Sequence, residues 1–253
     1  GEIFGFVGTN GSGKTTTIRQ IMGFLKPNIG SIDVKKLDAY RDATEAKKYI
    51  GYVPGEIAFP DLPSGTAFIE SQAEFLKLKN LDYANELVKI LQIDLRANPR
   101  KMSKGMKQKT AIIAALMNDP DILLLDEPTT GLDPLMRKKF LEVLKIEKSK
   151  KKTILISSHI FEELETLCDR VALIKDGKII DIAVMDEIKN PKQREYKIEF
   201  LTETSYKNFL KEQVRIVKTK PEQNQVYVKV DLVNVNMFLQ MLSHYQIKFI
   251  AEN

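Results

Sequence analysis

The 253-residue chain contains one cysteine, Cys168, no tryptophan and two histidines. A lone thiol cannot form an intrachain disulfide, and such sparse cysteine usage matches a reducing compartment. Long apolar runs are also missing. The longest, residues 111–117 and 122–125, fall far short of the roughly 18 residues that a membrane-spanning helix needs, so any membrane role requires a partner. No basic, then apolar, then small-residue leader is visible at the N-terminus, which makes a cytoplasmic address the expectation. Internal repeats and low-complexity segments are absent. Excess charge is small: 39 Lys and Arg against 34 Asp and Glu give +5, weak reason to expect nucleic acid or anionic lipid. The densest lysine cluster, residues 145–152, reads as a solvated helix end.

What is present is an ordinary globular balance, 43% hydrophobic and 29% charged, in a chain long enough for one large domain and a small one. Ile3, Phe4, Phe6 and Val7 predict a strand, followed by a glycine-rich turn and a helix carrying Ile18, Ile21, Met22 and Leu25 at helical spacing. Residues 50–53 predict a second strand, and residues 64–95 two helices, one with Phe68, Phe75 and Leu76, the other with Leu87, Val88, Ile90 and Leu91. A further helix is predicted over 103–117. The continuous aliphatic segment 122–125 reads as a strand covered on both faces, and 153–156 repeats it after a helix at 134–148. Residues 171–174 and 178–182 read as a hairpin across Asp176-Gly177. After Asn190 and Pro191 the character changes: strands at 196–200, 214–219, 225–230 and 247–250 and helices at 205–212 and 233–244 give the order βαββαβ, a small α+β, ferredoxin-like split βαβ unit at 192–253.

Gly8-Thr9-Asn10-Gly11-Ser12-Gly13-Lys14-Thr15 fits the P-loop pattern, between the strand and the helix it requires. Glycines let successive N–H groups face phosphate oxygens, and the helix N-terminus adds partial positive charge. Lys14 is placed to bridge the β- and γ-phosphates and Thr15 to offer its hydroxyl to Mg²⁺. The aliphatic strand at 122–125 ends in Asp126-Glu127. Beside a P-loop this pair reads as an Mg²⁺ ligand, Asp126, followed by a residue that orients or deprotonates the attacking water, Glu127. His159 follows Ser157 and Ser158 at the end of the next strand, where ligands sit in open α/β sheets, and reads as a γ-phosphate contact. Ser103 at a helix start is either a simple N-cap or, with the Gly105 N–H, a second anion site.

Together these motifs resemble the ATP-binding cassette (ABC) ATPases over residues 1 to about 185. In the resemblance the P-loop extends from Gly8 to Thr16, residues 102–106 occupy the place of the Leu-Ser-Gly-Gly-Gln signature, Asp126 and Glu127 are the Walker B pair, Asp133 belongs to the D-loop and His159 is the switch histidine. The resemblance implies an α/β P-loop NTPase fold at 1–190 with a helical subdomain at about 64–119, and ATP and Mg²⁺ as cofactors. It further implies a homodimer or heterodimer of ATPase subunits closing head to tail, so that Ser103 and Gly105 meet the γ-phosphate held by the opposite subunit. The helical insertion would dock on an integral membrane subunit at the cytoplasmic face of the membrane, as in the drug and antibiotic export branch, with no nucleic acid involved. The 192–253 region would be an accessory or dimer-contact domain, or a stabilising one. Lys104 and Met106 depart from the signature, and Gly55 stands where the family's Q-loop glutamine is expected. The family's first antiparallel strands and adenine-stacking aromatic would precede Gly1, so the cassette reads as lacking them and as binding ATP more weakly. Alternatives within the resemblance are a soluble ABC ATPase acting on nucleic acid or protein, and a cassette that binds ATP without hydrolysing it.

Overall fold

Aliphatic residues on successive positions of the central strands require cover on both sheet faces, and the helices supply it. In the computed structural model, which describes residues 1–190 and 192–252, β1 (Ile3–Val7) leads into α1 (Lys14–Ile21). A short hairpin, β2 (Asp33–Val34) and β3 (Leu37–Asp38), then α2 (Ala43–Ala46) and β4 (Ile50–Val53), precede the helical insertion of α3 (Gly65–Phe75), α4 (Asp82–Leu91) and α5 (Lys104–Leu116). β5 (Ile122–Asp126), α6 (Pro134–Ser149), β6 (Thr153–Ser158), α7 (Phe161–Leu167) and the hairpin β7 (Arg170–Lys175) and β8 (Lys178–Val184) follow. The sheet order is β4-β5-β6-β1-β7-β8, parallel except at β8. Leu123 and Leu125 join the main core, whereas Leu124 packs with Ile18 and Met22 on the other face. Register brings the C-terminal ends of three strands to one edge: Val7 pairs with Ser158, and Asp126 with Ser157.

Several features differ from the sequence reading, among them α2 and α7, which it did not place, and the helix Glu203–Phe209, expected at 205–212. The first helix stops at Ile21 and not at Leu25, because Gly23 turns left-handed (φ +67°) where any Cβ would lie 2.1 Å from the Ala39 carbonyl oxygen; Leu25 is exposed. Phe75, expected on the buried face of α3, is 81% exposed. The β2–β3 hairpin turns through Lys35 and Lys36, both left-handed without being glycine, so no turn motif announced it. Finally, the compact units divide after Met185, inside α8 (Met185–Lys189), ahead of the sequence-based boundary; Pro191 and the last residue, Asn253, lie outside the described residues.

The C-terminal unit consists of β9 (Gln193–Phe200), α9 (Glu203–Phe209), β10 (Arg215–Lys220), β11 (Gln225–Asp231), α10 (Val235–Leu242) and β12 (Ile247–Glu252). Its antiparallel sheet has the order β10-β11-β9-β12, the split βαβ arrangement. Alternate residues Ile198, Phe200, Val226 and Val228 fill a core with Phe209 and Phe238.

A buried ionic cluster ties the helical insertion to the sheet-covering helices. Tyr83 on α4 donates to Glu147 on α6 (2.6 Å), Lys150 donates to the same carboxylate (2.8 Å), and the buried Lys152 reaches both Glu147 and Asp119. Burial pushes the Glu147 carboxyl up, but the hydrogen bonds from Lys150, Lys152 and Tyr83 outweigh it and hold the group below its ordinary 4.5. The stabilisation from this lowered acid is complete above pH 4.5 and is lost as pH falls through the lower folded-state value. Glu147→Ala, which leaves the buried Lys152 with only the exposed Asp119 and removes the Tyr83 acceptor, should destabilise the protein by about 1–3 kcal/mol in denaturant titrations. Glu147→Gln should flatten the decline of melting temperature below pH 4.5, and an unchanged slope would show that Glu147 does not carry this linkage.

Candidate functional site

The glycine turn after β1 is shaped by steric need. A Cβ on Gly8 would lie 2.3 Å from the Ile174 carbonyl oxygen, and Gly13, at φ +109°, starts α1 with no side-chain cap. The Gly177 N–H, in the turn between β7 and β8, donates to the Ser12 carbonyl (3.0 Å) and anchors the loop. Residues 10–16 and Glu127 line a cavity of about 280 Å³. Lys14 is buried at its edge, with Nζ donating to the carbonyl oxygens of Gly8 (2.7 Å) and Thr9 (3.1 Å) and lying 3.6 Å from Glu127 Oε1. A loop of backbone N–H groups, a helix N-terminus and an ammonium suit a polyphosphate.

The strand-end carboxylates are held by the neighbouring strand. Asp126 is fully buried; its Oδ1 accepts from Ser157 Oγ (2.6 Å), while Oδ2 has no hydrogen-bond partner. The same Ser157 hydroxyl accepts from the Glu127 N–H (3.0 Å). Glu127 is left-handed (φ +49°), a conformation that costs a residue other than glycine about 1–3 kcal/mol. Its Oε2 lies 2.6 Å from His159 Nδ1. The residues named as P-loop, Walker B pair and switch histidine therefore gather at one sheet edge.

Ser103, Gly105 and Asp133 form a separate group, and none of them lines the cavity. Ser103 Oγ accepts from the Met106 N–H (3.2 Å) and caps α5; Asp133 accepts from the Met136 N–H (2.9 Å) and caps α6. Ser103 and Asp133 are exposed. Gly105 lies against the D-loop, since a Cβ there would come within 2.7 Å of the Gly131 carbonyl oxygen. Sequence reasoning gave no role to Ser157, whose only signal was its place two residues before His159, and read Gly177 only as a hairpin-turn residue.

The residues fit Mg²⁺. The orphaned Asp126 Oδ2 is a buried hard oxygen, and a Cβ on Gly55 would lie 3.0 Å from it, so glycine keeps the space beside it clear. No group of three or more His, Cys, Asp or Glu able to hold a metal occurs among the described residues.

Fold and site define a P-loop α/β protein built to hold a nucleoside triphosphate. Comparison with known proteins narrows this: the family described as ABC transporter matches residues 1–130, and the chain belongs to that family. It is similar to the ABC transporter ATP-binding protein NatA of Bacillus subtilis (strain 168), 37% identical over 204 residues, covering 77% of this chain and 82% of NatA. It is also similar to the bacitracin transport ATP-binding protein BcrA of Bacillus licheniformis, at 35% identity over 78% of this chain and 65% of BcrA. Among solved structures, the dimeric post-hydrolysis state of the ATP-binding cassette MJ0796 bound to ADP and Pi matches with a TM-score of 0.66 and 25% identity, over 73% of this chain and 85% of that one. The chain is an ATP-binding subunit of the ABC ATPase class.

Because Ser157 orients Asp126, Ser157→Ala should raise the Mg²⁺ concentration for half-maximal ATP hydrolysis at least about tenfold while ADP affinity measured in EDTA stays constant. Equal Mg²⁺ requirements would remove Ser157 from the metal site's support.

Proposed function

We propose that this chain hydrolyses ATP at the P-loop and uses the cycle to drive export through a separate integral membrane subunit. The observation that carries the hydrolytic half is the Glu127–His159 contact at the mouth of a cavity whose other walls are the P-loop. Residues 8–16 bind and orient the triphosphate, with Lys14 exchanging its Gly8 and Thr9 carbonyl partners for phosphate oxygens. Thr15 and Asp126 hold Mg²⁺, which supplies charge neutralisation at the phosphates when bound. Glu127 orients the attacking water and accepts its proton as the water oxygen bonds to the γ-phosphorus and the bond to the ADP oxygen breaks. His159 fixes the Glu127 carboxylate and contacts the γ-phosphoryl oxygens. Such positioning and electrostatic support is most of what a phosphoryl-transfer site provides.

Two chains closing head to tail would bring Ser103 and Gly105 to the partner's γ-phosphate, with Asp133 beside them; the exposed helix starts and the dimeric cassette MJ0796 support this. A groove of about 260 Å³ lined by Tyr52, Ile57, Phe59, Phe68, Leu76 and Ala111 opens between the insertion and the sheet. The exposed Phe75 is the last residue of α3, next to the groove-lining Leu76, and we assign this surface to the membrane subunit at the cytoplasmic face. The transport names of NatA and BcrA favour a transport role over a soluble one. Gly55 leaves no side chain to relay between Asp126 and that surface. The C-terminal unit serves as an accessory or dimer-contact domain.

Glu127→Gln should reduce Mg²⁺-dependent phosphate release at least about 100-fold and accumulate an ATP-bound dimer by size exclusion; hydrolysis at the wild-type rate would remove Glu127 from the chemistry. Wild-type activity per chain should rise with protein concentration, as a two-chain site demands. Phe75→Glu should leave solution ATPase activity intact and abolish co-purification with the membrane subunit, whereas undiminished co-purification would move the docking surface elsewhere.

A further inference from the structure

Glu163 on α7 lies outside every motif considered above, yet its carboxylate is one of the few that are almost fully buried, with 6% exposure. Its Oε2 accepts from Thr129 Oγ1 (2.7 Å) and from Ser158 Oγ (3.4 Å), and its Oε1 lies 3.0 Å from the Arg137 guanidinium. Both hydroxyl partners are themselves buried. Each partner belongs to a different segment of the reaction centre. Thr129 stands two residues after Glu127, Ser158 immediately precedes His159, and Arg137 is on the first turns of α6, whose N-cap is Asp133. Ser158 Oγ also accepts from the Ile160 N–H (3.0 Å), so the backbone on both sides of His159 is pinned through the hydroxyl that Glu163 holds.

We propose that Glu163 is a positioning residue for ATP hydrolysis: it locks the Glu127 segment, the His159 segment and the D-loop helix into one rigid arrangement, and thereby sets the 2.6 Å Glu127–His159 contact. A buried carboxylate held by two hydroxyl donors and an ion pair is costly to move, which suits a fixed reference point between loops. The inference rests on Glu127 and His159 acting as proposed above. It adds a route by which the D-loop surface, the part of this cluster facing solvent, is mechanically continuous with the switch histidine.

The experiment compares Glu163→Ala and Glu163→Gln with wild type for kcat, KM, ADP affinity and the imidazole resonances of His159 and His244, the only two histidines. The glutamine amide oxygen keeps the Thr129 and Ser158 hydrogen bonds and loses the charge pairing with Arg137. Expected are a kcat reduced about ten- to a hundredfold in Glu163→Ala, a smaller loss in Glu163→Gln, ADP affinity within about twofold of wild type, and a displaced His159 resonance beside an unmoved His244. If Glu163→Ala does not fold, Glu163→Gln alone must show the kcat loss and the His159 displacement. Unmoved His159 resonances, or ADP affinity falling in step with kcat, would overturn the proposal. The spectral readout needs no turnover, so an inactive wild type would count against the hydrolytic reading without deciding this one, which the His159 signal decides by itself.

Discussion

The site depends on the register of three parallel strands. β1, β5 and β6 end at one edge because Val7 pairs with Ser158 and Asp126 with Ser157. A one-residue slip would turn every side chain on the slipped strand to the opposite face. Register here is enforced by burial on both sides: Leu123 and Leu125 fill one core, Leu124 another. The hydrophobic packing far from the chemistry therefore places the carboxylates. Ser157 then converts that placement into orientation, donating to Asp126 and accepting from the Glu127 N–H with one hydroxyl.

Much of this was legible in the residues because it is local. A P-loop needs its glycines, lysine and threonine within a few positions, and an aliphatic strand ending in two carboxylates is visible as a string. The βαββαβ order of the C-terminal unit was legible for the same reason, since alternating apolar positions such as Ile198 and Phe200, or Val226 and Val228, mark strands directly. What was not legible depends on contacts distant in sequence. Gly23 ends α1 because of the Ala39 carbonyl oxygen, Gly177 anchors Ser12, and Glu163 meets Thr129 across 34 positions. Phe75 misled for another reason: helical spacing identifies an apolar stripe without saying which of its members the core reaches.

Glu147 and Glu163 illustrate two uses of a buried carboxylate. Glu147 joins α4 of the insertion to α6 through Tyr83, and recruits Lys150 and Lys152. Glu163 joins α7 to α6 through Arg137 and reaches the loops after β5 and β6. Both converge on α6, at opposite ends of the helix. α6 is thus tied at its C-terminal end to the insertion and at its N-terminal end to the segments after β5 and β6.

The strained backbone at Glu127 lies at the other end of this chain of contacts. A residue other than glycine at φ +49° persists only where its surroundings over-determine it, and here the surroundings are Ser157, His159 and Lys14. Lys14 contributes a charge contact to Glu127 while its hydrogen bonds go to the Gly8 and Thr9 carbonyls. In the proposed cycle phosphate oxygens compete for those bonds, and the same ammonium lies 3.6 Å from Glu127 Oε1. The P-loop, the Glu127 carboxylate and α6 are thus joined by a chain of adjacent contacts, through Lys14 on one side and through Thr129, Glu163 and Arg137 on the other, on strands whose register positions them all.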